Sequence, residues 1–224
     1  MSRKLKTLEI ERISVEQYRQ AEKMPLVIVL DNVRSMHNIG SVFRTADAFR
    51  AEEIFLCGIT AQPPHNDIHK TALGAEDSVR WTYLNDTTEA VRILHERGYK
   101  VFAIEQCEGS VMMPAEEIRK WKGTKGCAVV LGNEVHGVGQ DVIDLCDTCI
   151  EIPQHGTKHS LNVSVTAGIV IWEFARYFYD SVKSKLDESS TIVQERMLAD
   201  YNTENAVTKY TTRYQDLLDM DSSN

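Results

Sequence analysis

The 224-residue sequence predicts an α/β protein: a mainly parallel sheet with helices on both faces. Three observations lead there. Between residues 25 and 179, short β-branched runs alternate with helix-period patterns, the order expected of parallel strands joined by helical crossovers. The first of these runs, Pro25-Leu-Val-Ile-Val-Leu30, lacks polar alternation and therefore reads as a strand buried on both faces. The apolar share of 42% with 26% charged residues is that of a chain able to bury a core.

Taken in order, residues 1–24 precede the first strand and carry six Lys/Arg against four Asp/Glu, so the basic end is the N-terminus. After Leu30, the residues Ile39, Val42, Phe43, Ala46 and Phe49 recur at helical spacing, predicting an amphipathic helix from His37 or Asn38 to Arg50. Further strands are expected at Glu53–Cys57, Val79–Tyr83, Lys100–Ile104, Cys127–Leu131 and Thr148–Ile152. Helical patterns cover Thr87–Arg97 and Ala115–Lys122. The segment Ser160–Tyr179 is the longest apolar helix, with Leu161, Val163, Val165, Ile169, Val170, Ile171, Trp172, Phe174 and Phe178 spread nearly all round it. A helix without a polar face must be covered on more than one side, and a second subunit is a reasonable source of the other cover. Beyond Asp180 the composition turns to Ser, Asp, Glu and Lys, so residues 180–224 read as a helical or partly disordered extension.

Several classes are excluded. Five Cys, an odd number, behind a charged N-terminus without a signal pattern fit a reducing cytoplasm better than a disulfide framework. No apolar stretch is long enough and free enough of polar residues to span a bilayer. Cys146 and Cys149 form a C-x-x-C without a second half, and the His pairs 65/69 and 155/159 lack an H-E-x-x-H pattern, so no metal is expected. A net charge of −8 argues against a general polyanion binder.

Three loops follow predicted strands. The first, from Asp31, contains Asn38-Ile-Gly40 and Arg44-Thr-Ala46; Asn38 and Arg44 either converge on an anion-attracting spot at the helix start, or are an N-cap and a solvated cation. The second, Leu131-Gly-Asn-Glu134 with Gly137, permits close backbone approach to a ligand, or is an ordinary Gly-rich turn. It matches neither a dinucleotide fingerprint nor a phosphate loop. In the third, Ile152-Pro153 with Gly156 and Ser160-Leu-Asn-Val-Ser164, Ser160 and Asn162 either cap the long helix or face a substrate. Ligands of open α/β sheets bind where such loops lie, outside the carboxyl ends of the strands.

Together, in this order, the three loops closely resemble the signature motifs of the SpoU/TrmH family of RNA ribose 2′-O-methyltransferases, within the SPOUT superfamily. The resemblance covers residues 25–179, leaving 1–24 and 180–224 as extensions. It implies a deep C-terminal trefoil knot, which no topology rule predicts. It also implies S-adenosylmethionine as cofactor, with Gly132, Ile152 and Leu161 in contact and Leu131 close by, and a homodimer that packs the knot helices together. Arg44 is expected at the ribose hydroxyl and adjacent phosphate, Asn38 orienting it or the ribose, Glu134 ordering the site, and Ser160 and Asn162 positioning substrate or cofactor. A segment from His65 to Glu76, with Lys70, Thr71, Gly74 and Ala75, resembles a family stretch near the substrate; Lys70 either touches RNA phosphate or is simply solvated.

With only short extensions flanking the domain, tRNA is favoured over rRNA as the substrate. The N-terminal cations Arg3, Lys4, Lys6, Arg12, Arg19 and Lys23 either line a helix that contacts RNA backbone or belong to a helix that packs the dimer. Two other readings stand beside this one: a knotted RNA-binding protein without chemistry, against which the intact motif residues speak, and a doubly wound adenine-nucleotide enzyme, against which the missing fingerprint speaks. The acidic total restricts RNA to a narrow, salt-sensitive track past Arg34, Arg44, Arg50 and Lys158.

Overall fold

The computed structural model of the chain describes residues 3–6, 13–114, 116–119 and 124–188. It divides into two compact units, one spanning Glu22–Tyr179 and one formed by Met1–Ala21 with Asp180–Asn224. In the second of these, α1 (Val15–Gln20) is closed by a capping box in which Ser14 and Gln17 bond reciprocally. The expected pattern over residues 189–224 and half of that over 115–122 lie outside the described residues; the described half, Glu116–Arg119, is helical.

The larger unit is a seven-stranded, wholly parallel sheet. Its strands are β1 (Met24–Asp31), β2 (Ala51–Cys57), β3 (Trp81–Leu84), β4 (Tyr99–Ile104), β5 (Val111–Met112), β6 (Gly126–Leu131) and β7 (Thr148–Glu151), in the order β3-β2-β1-β6-β4-β7-β5. Between them run α2 (Met36–Ala48), α3 (Asn66–Ala72), α4 (Ala75–Ser78), α5 (Thr87–Glu96), α6 (Glu116–Arg119) and α7 (Gln140–Ile143), and α8 (Val163–Glu188) follows β7. Six strands fall where the sequence predicts them, to within two residues at most ends. β5 is not predicted: two residues are too few to show a period, and only pairing with β7 makes them a strand.

Central β1 and β6 are buried almost throughout, as their unbroken apolar runs require. One face of the sheet, with Val27, Val29, Val101, Ala103, Ala128 and Val130, packs against Ala90, Val91 and Leu94 of α5 and Val142 of α7. On the other face Phe102 meets Phe174 of α8, ring centroids 6.2 Å apart. The edge contact of Phe49 with Trp172, at 5.7 Å, sets the end of α2 beside α8 on that same face. Helices therefore cover both faces.

As far as Phe178, one side of α8 is buried in this way and the other, apart from the Trp172 edge contact, is largely open. Val163, Ala167, Val170, Ile171, Phe174 and Ala175 are buried, whereas Val165, Ile169 and Trp172 are 50%, 37% and 53% exposed. The spacing of the exposed three, i, i+4, i+7, makes them one stripe along the helix. Among the described residues, no helix is long and apolar enough to cross a membrane.

Candidate active site

β1, β6, β4 and β7 are neighbours in the sheet, so the three loops leave the same edge, joined by a fourth after β4. In the first loop the expectation that Asn38 caps the helix is corrected. Ser35 is the N-cap, its hydroxyl accepting the Asn38 N–H at 3.3 Å. Asn38 therefore stands in the first helical turn with its carboxamide free for other work. Its Nδ2 donates to Glu134 Oε1 at 2.8 Å, and its Oδ1 accepts from Asn162 Nδ2 at 3.2 Å. One residue from each loop thus joins in a single chain of hydrogen bonds, spanning 96 and 124 positions of sequence.

The motif glycine beside Asn38 has a steric reason. A Cβ on Gly40 would stand 2.2 Å from both the Ile68 carbonyl oxygen and Thr71 Oγ1, so only Gly lets α3 lie against α2. Thr71 Oγ1 then donates to the His37 carbonyl at 2.9 Å.

The second loop is a tight turn built by Asn133, whose side-chain oxygen accepts the N–H groups of Val135 and His136 at 2.9 and 2.8 Å. Its carbonyl accepts the Gly137 N–H at 3.0 Å. The turn passes so close to Gly132 that a Cβ there would lie 2.0 Å from the Gly137 carbonyl carbon. Further on, Gly139 donates to buried Asp31 at the end of β1, at 3.3 Å, and Thr87 donates to the same carboxylate at 2.5 Å. In the third loop Asn162 both caps and connects. Its Oδ1 accepts the Ser164 N–H at 2.9 Å while its Nδ2 reaches Asn38. The helix accordingly begins at Val163 rather than at Ser160, which leaves Ser160 and Leu161 in the loop.

A cavity of about 350 Å³ opens between the second and third loops. Leu131, Gly132, Ile152 and Leu161 line it, as do Glu134 and Ser160. Asn38 and Asn162 border it through Glu134 and Leu161 rather than lining it. The lining holds Glu105, Glu134 and Glu151 and no Lys or Arg among the described residues. Leucine and isoleucine walls with carboxylates suit a flat apolar heterocycle carrying a cationic centre, within the size range of small-molecule sites. Glu105 and Gln106, after β4, are site residues that sequence reading passes over.

Arg44 is exposed on α2, and no hydrogen bond or ion pair holds its guanidinium among the described residues. The structure does not bring it into the Asn38–Glu134–Asn162 chain. Lys70 is also exposed, but it is paired with Asp67 at 2.7 Å, and this hydrogen bond holds the Asp67 carboxyl below its ordinary value. Burial pushes the thiols of Cys107 and Cys146 up to about 12, so neither is a nucleophile near neutrality. No group of His, Cys, Asp or Glu among the described residues is arranged to hold a metal ion.

The description of the SpoU rRNA methylase family matches residues 25–172, the span that contains all three loops. The chain belongs to the SpoU rRNA methylase family. Over 201 residues, 86% of its length, this methylase is 32% identical to the tRNA (guanosine(18)-2′-O)-methyltransferase of Thermus thermophilus, of which it covers 96%. Its fold is similar to that of the A. aeolicus TrmH/SpoU tRNA modifying enzyme, with a TM-score of 0.64 at 24% identity over 86% of this chain and 94% of the other. It is similar as well to an AdoMet-bound rRNA methyltransferase from Sinorhizobium meliloti, with a TM-score of 0.62 at 27% identity, over 71% of this chain and 60% of that one.

Proposed function

We propose that this methylase transfers a methyl group from S-adenosylmethionine to a ribose 2′-hydroxyl of RNA, with tRNA the substrate, acting in the cytoplasm as a homodimer. The observation that carries the reading is the Asn38–Glu134–Asn162 chain, which ties three loops together at the mouth of a cavity lined by Leu131, Gly132, Ile152 and Leu161. Those four would hold the cofactor, the apolar ones against its adenine and Gly132 through its backbone. The preference for tRNA rests on likeness: over 201 residues the chain is 32% identical to a protein named as a tRNA (guanosine(18)-2′-O)-methyltransferase.

The domain on this reading is residues 25–179, with 1–24 and 180–224 as extensions, and it carries the family's deep C-terminal trefoil knot. Support for the knot is the strand order, in which β6 enters between β1 and β4, and β7 between β4 and β5, after those strands are laid down. Support for the dimer is the exposed Val165, Ile169 and Trp172 stripe, an apolar surface of the kind subunit interfaces cover.

When bound, the cofactor supplies an electrophilic methyl sulfonium. The chain's own residues must align the hydroxyl with it, which can be worth as much as ~7–11 kcal/mol, and must ease proton loss from an alcohol. Glu134, fixed by the Asn38 amide, orders the mouth of the cavity, and Asn162, fixed by α8, sets the third loop against it. Ser160 offers a hydroxyl at the same mouth. Arg44, unengaged and always charged, holds the adjacent phosphate and stabilises the developing alkoxide. It is not the base, because a guanidinium keeps its proton in proteins; the hydroxyl proton passes to phosphate or water. Lys70 reaches a phosphate by leaving Asp67, which costs little because the pair is open to solvent.

The test is to incubate the full chain with methyl-labelled S-adenosylmethionine and separated tRNA and rRNA. Label in tRNA is expected; label in rRNA alone would overturn the substrate assignment, and label in neither would overturn the enzymatic one.

A further inference from the structure

The fourth loop, after β4, touches both cofactor loops. Glu105 Oε2 accepts the N–H of Val138, in the second loop, at 3.0 Å. Its neighbour Gln106 donates from Nε2 to the carbonyl of His159, in the third loop, at 3.0 Å. The remaining Glu105 oxygen accepts the Gln106 N–H at 2.9 Å, so the two contacts share one rigid base. That base is firm, because β4 is paired on one side with β6 and on the other with β7. Both side chains line the cavity.

The loops need such a base. Residues 152–162 form no helix or strand, and most are exposed. In the second loop the bonds of Asn133 shape the turn internally, and Glu134 reaches Asn162 of the third loop only through Asn38 of the first. The separation between the two loops is the width of the cavity.

We propose that Glu105 and Gln106 are positioning residues that hold the second and third loops at the separation the cofactor requires, so that the cavity is shaped before the ligand arrives. This rests on reading the cavity as the S-adenosylmethionine site. Ordering that would otherwise be charged to binding is then met during folding. Loss of the Gln106 bond to a neutral carbonyl should weaken cofactor affinity about 3- to 10-fold, and loss of the charge-assisted Glu105 bond about 10-fold or more.

The experiment titrates S-adenosylmethionine and S-adenosylhomocysteine calorimetrically into the full wild-type chain, Gln106→Met and Glu105→Gln, with thermal unfolding and methyl-transfer kinetics on tRNA alongside. Met preserves the volume of Gln without a donor. The expected result for Gln106→Met is a Kd raised by the factor above, a KM for cofactor raised equally, a smaller fall in kcat and an unchanged melting temperature. Wild-type affinity in Gln106→Met would overturn the inference, as would affinity lost only together with melting temperature. If the wild type binds neither ligand, the cofactor reading itself falls, which is a separate outcome. Should Glu105→Gln fail to fold, Gln106→Met decides alone, since its side chain is exposed and carries no core packing.

Discussion

Replacing Gly132 by Ala adds one carbon at the narrowest point of the second loop. The new Cβ would stand 2.0 Å from the Gly137 carbonyl carbon and 2.2 Å from both the Gly137 oxygen and the Val138 nitrogen. All three are backbone atoms, so no side-chain rotation relieves the clash. Ordinary contact begins at 3.4 Å, and the turn must therefore retreat by about 1.4 Å. That retreat pulls Val138 away from Glu105 and opens the wall of the cavity formed by Gly132 and Gly137. A displacement of ~1 Å in a positioned site is worth ~100-fold in rate, so Gly132→Ala should lower kcat/KM by about two orders of magnitude, mainly through cofactor affinity. The core strands do not move, so the protein should remain folded. Calorimetric titration with S-adenosylmethionine and a circular-dichroism melt measure the two effects separately. Near-normal affinity in a folded Gly132→Ala protein would refute the reasoning, because it would mean the cavity's shape does not depend on this approach.

Other predictions follow from the same geometry. Arg44→Ala, which removes an exposed side chain outside the cavity, should bind S-adenosylmethionine as the wild type does and lose turnover on tRNA by ~10²-fold or more; retained turnover would remove Arg44 from its role. Ile169→Glu with Trp172→Glu places charge on the open stripe of α8 and should yield a monomer in sedimentation, whereas an unchanged dimer would mean another surface pairs the subunits. Asp147 gives a pH signature. Burial raises its pKa, but hydrogen bonds from Lys100, the Val101 N–H and His95 outweigh this, so its folded value is below the ordinary 3.8. A group depressed in this way stabilises the fold above its unfolded pKa, and the contribution is lost as pH falls through about 4 toward the folded value. Urea unfolding at pH 6 and pH 3 should show a larger loss for wild type than for Asp147→Asn; equal losses would assign the acid sensitivity to other groups.

What was legible in the sequence was whatever depends on near neighbours. The doubly buried run Pro25–Leu30 and the stripe Ile39, Val42, Phe43, Ala46 declare a central strand and a half-buried helix without help from the rest of the chain. The cap of α2 is not legible from the period alone: Asn38 opens the apolar stripe, but Ser35, three residues earlier, satisfies the backbone N–H, which frees the Asn38 amide for Glu134 and Asn162. The strand order was not legible, since pairing β6 between β1 and β4 is a long-range choice with no local signature. Glu105 and Gln106 were missed for the same reason. Two polar residues after a strand are unremarkable until β6 and β7 are known to flank it. A usable signal existed in their position, because in a parallel sheet every strand's carboxyl end is a candidate site.

The net charge of −8 argues against a general polyanion binder but leaves room for local cationic ground. The cavity collects carboxylates and repels phosphate, while Arg44 on α2 stands outside it and unengaged. On the proposed reading a cationic cofactor in the cavity and an anionic substrate at Arg44 would occupy separate ground.

The central claim is tested most directly by the position of the methyl group itself. tRNA from a strain lacking this protein is incubated with the purified chain and S-adenosylmethionine, digested to nucleosides and resolved by mass spectrometry, which distinguishes a methylated ribose from a methylated base. The account predicts a gain of 14 Da, about one CH₂ in mass, on the sugar fragment of a single tRNA nucleoside, abolished by Arg44→Ala. A methyl on a base, or none in tRNA while S-adenosylmethionine is bound, would contradict it.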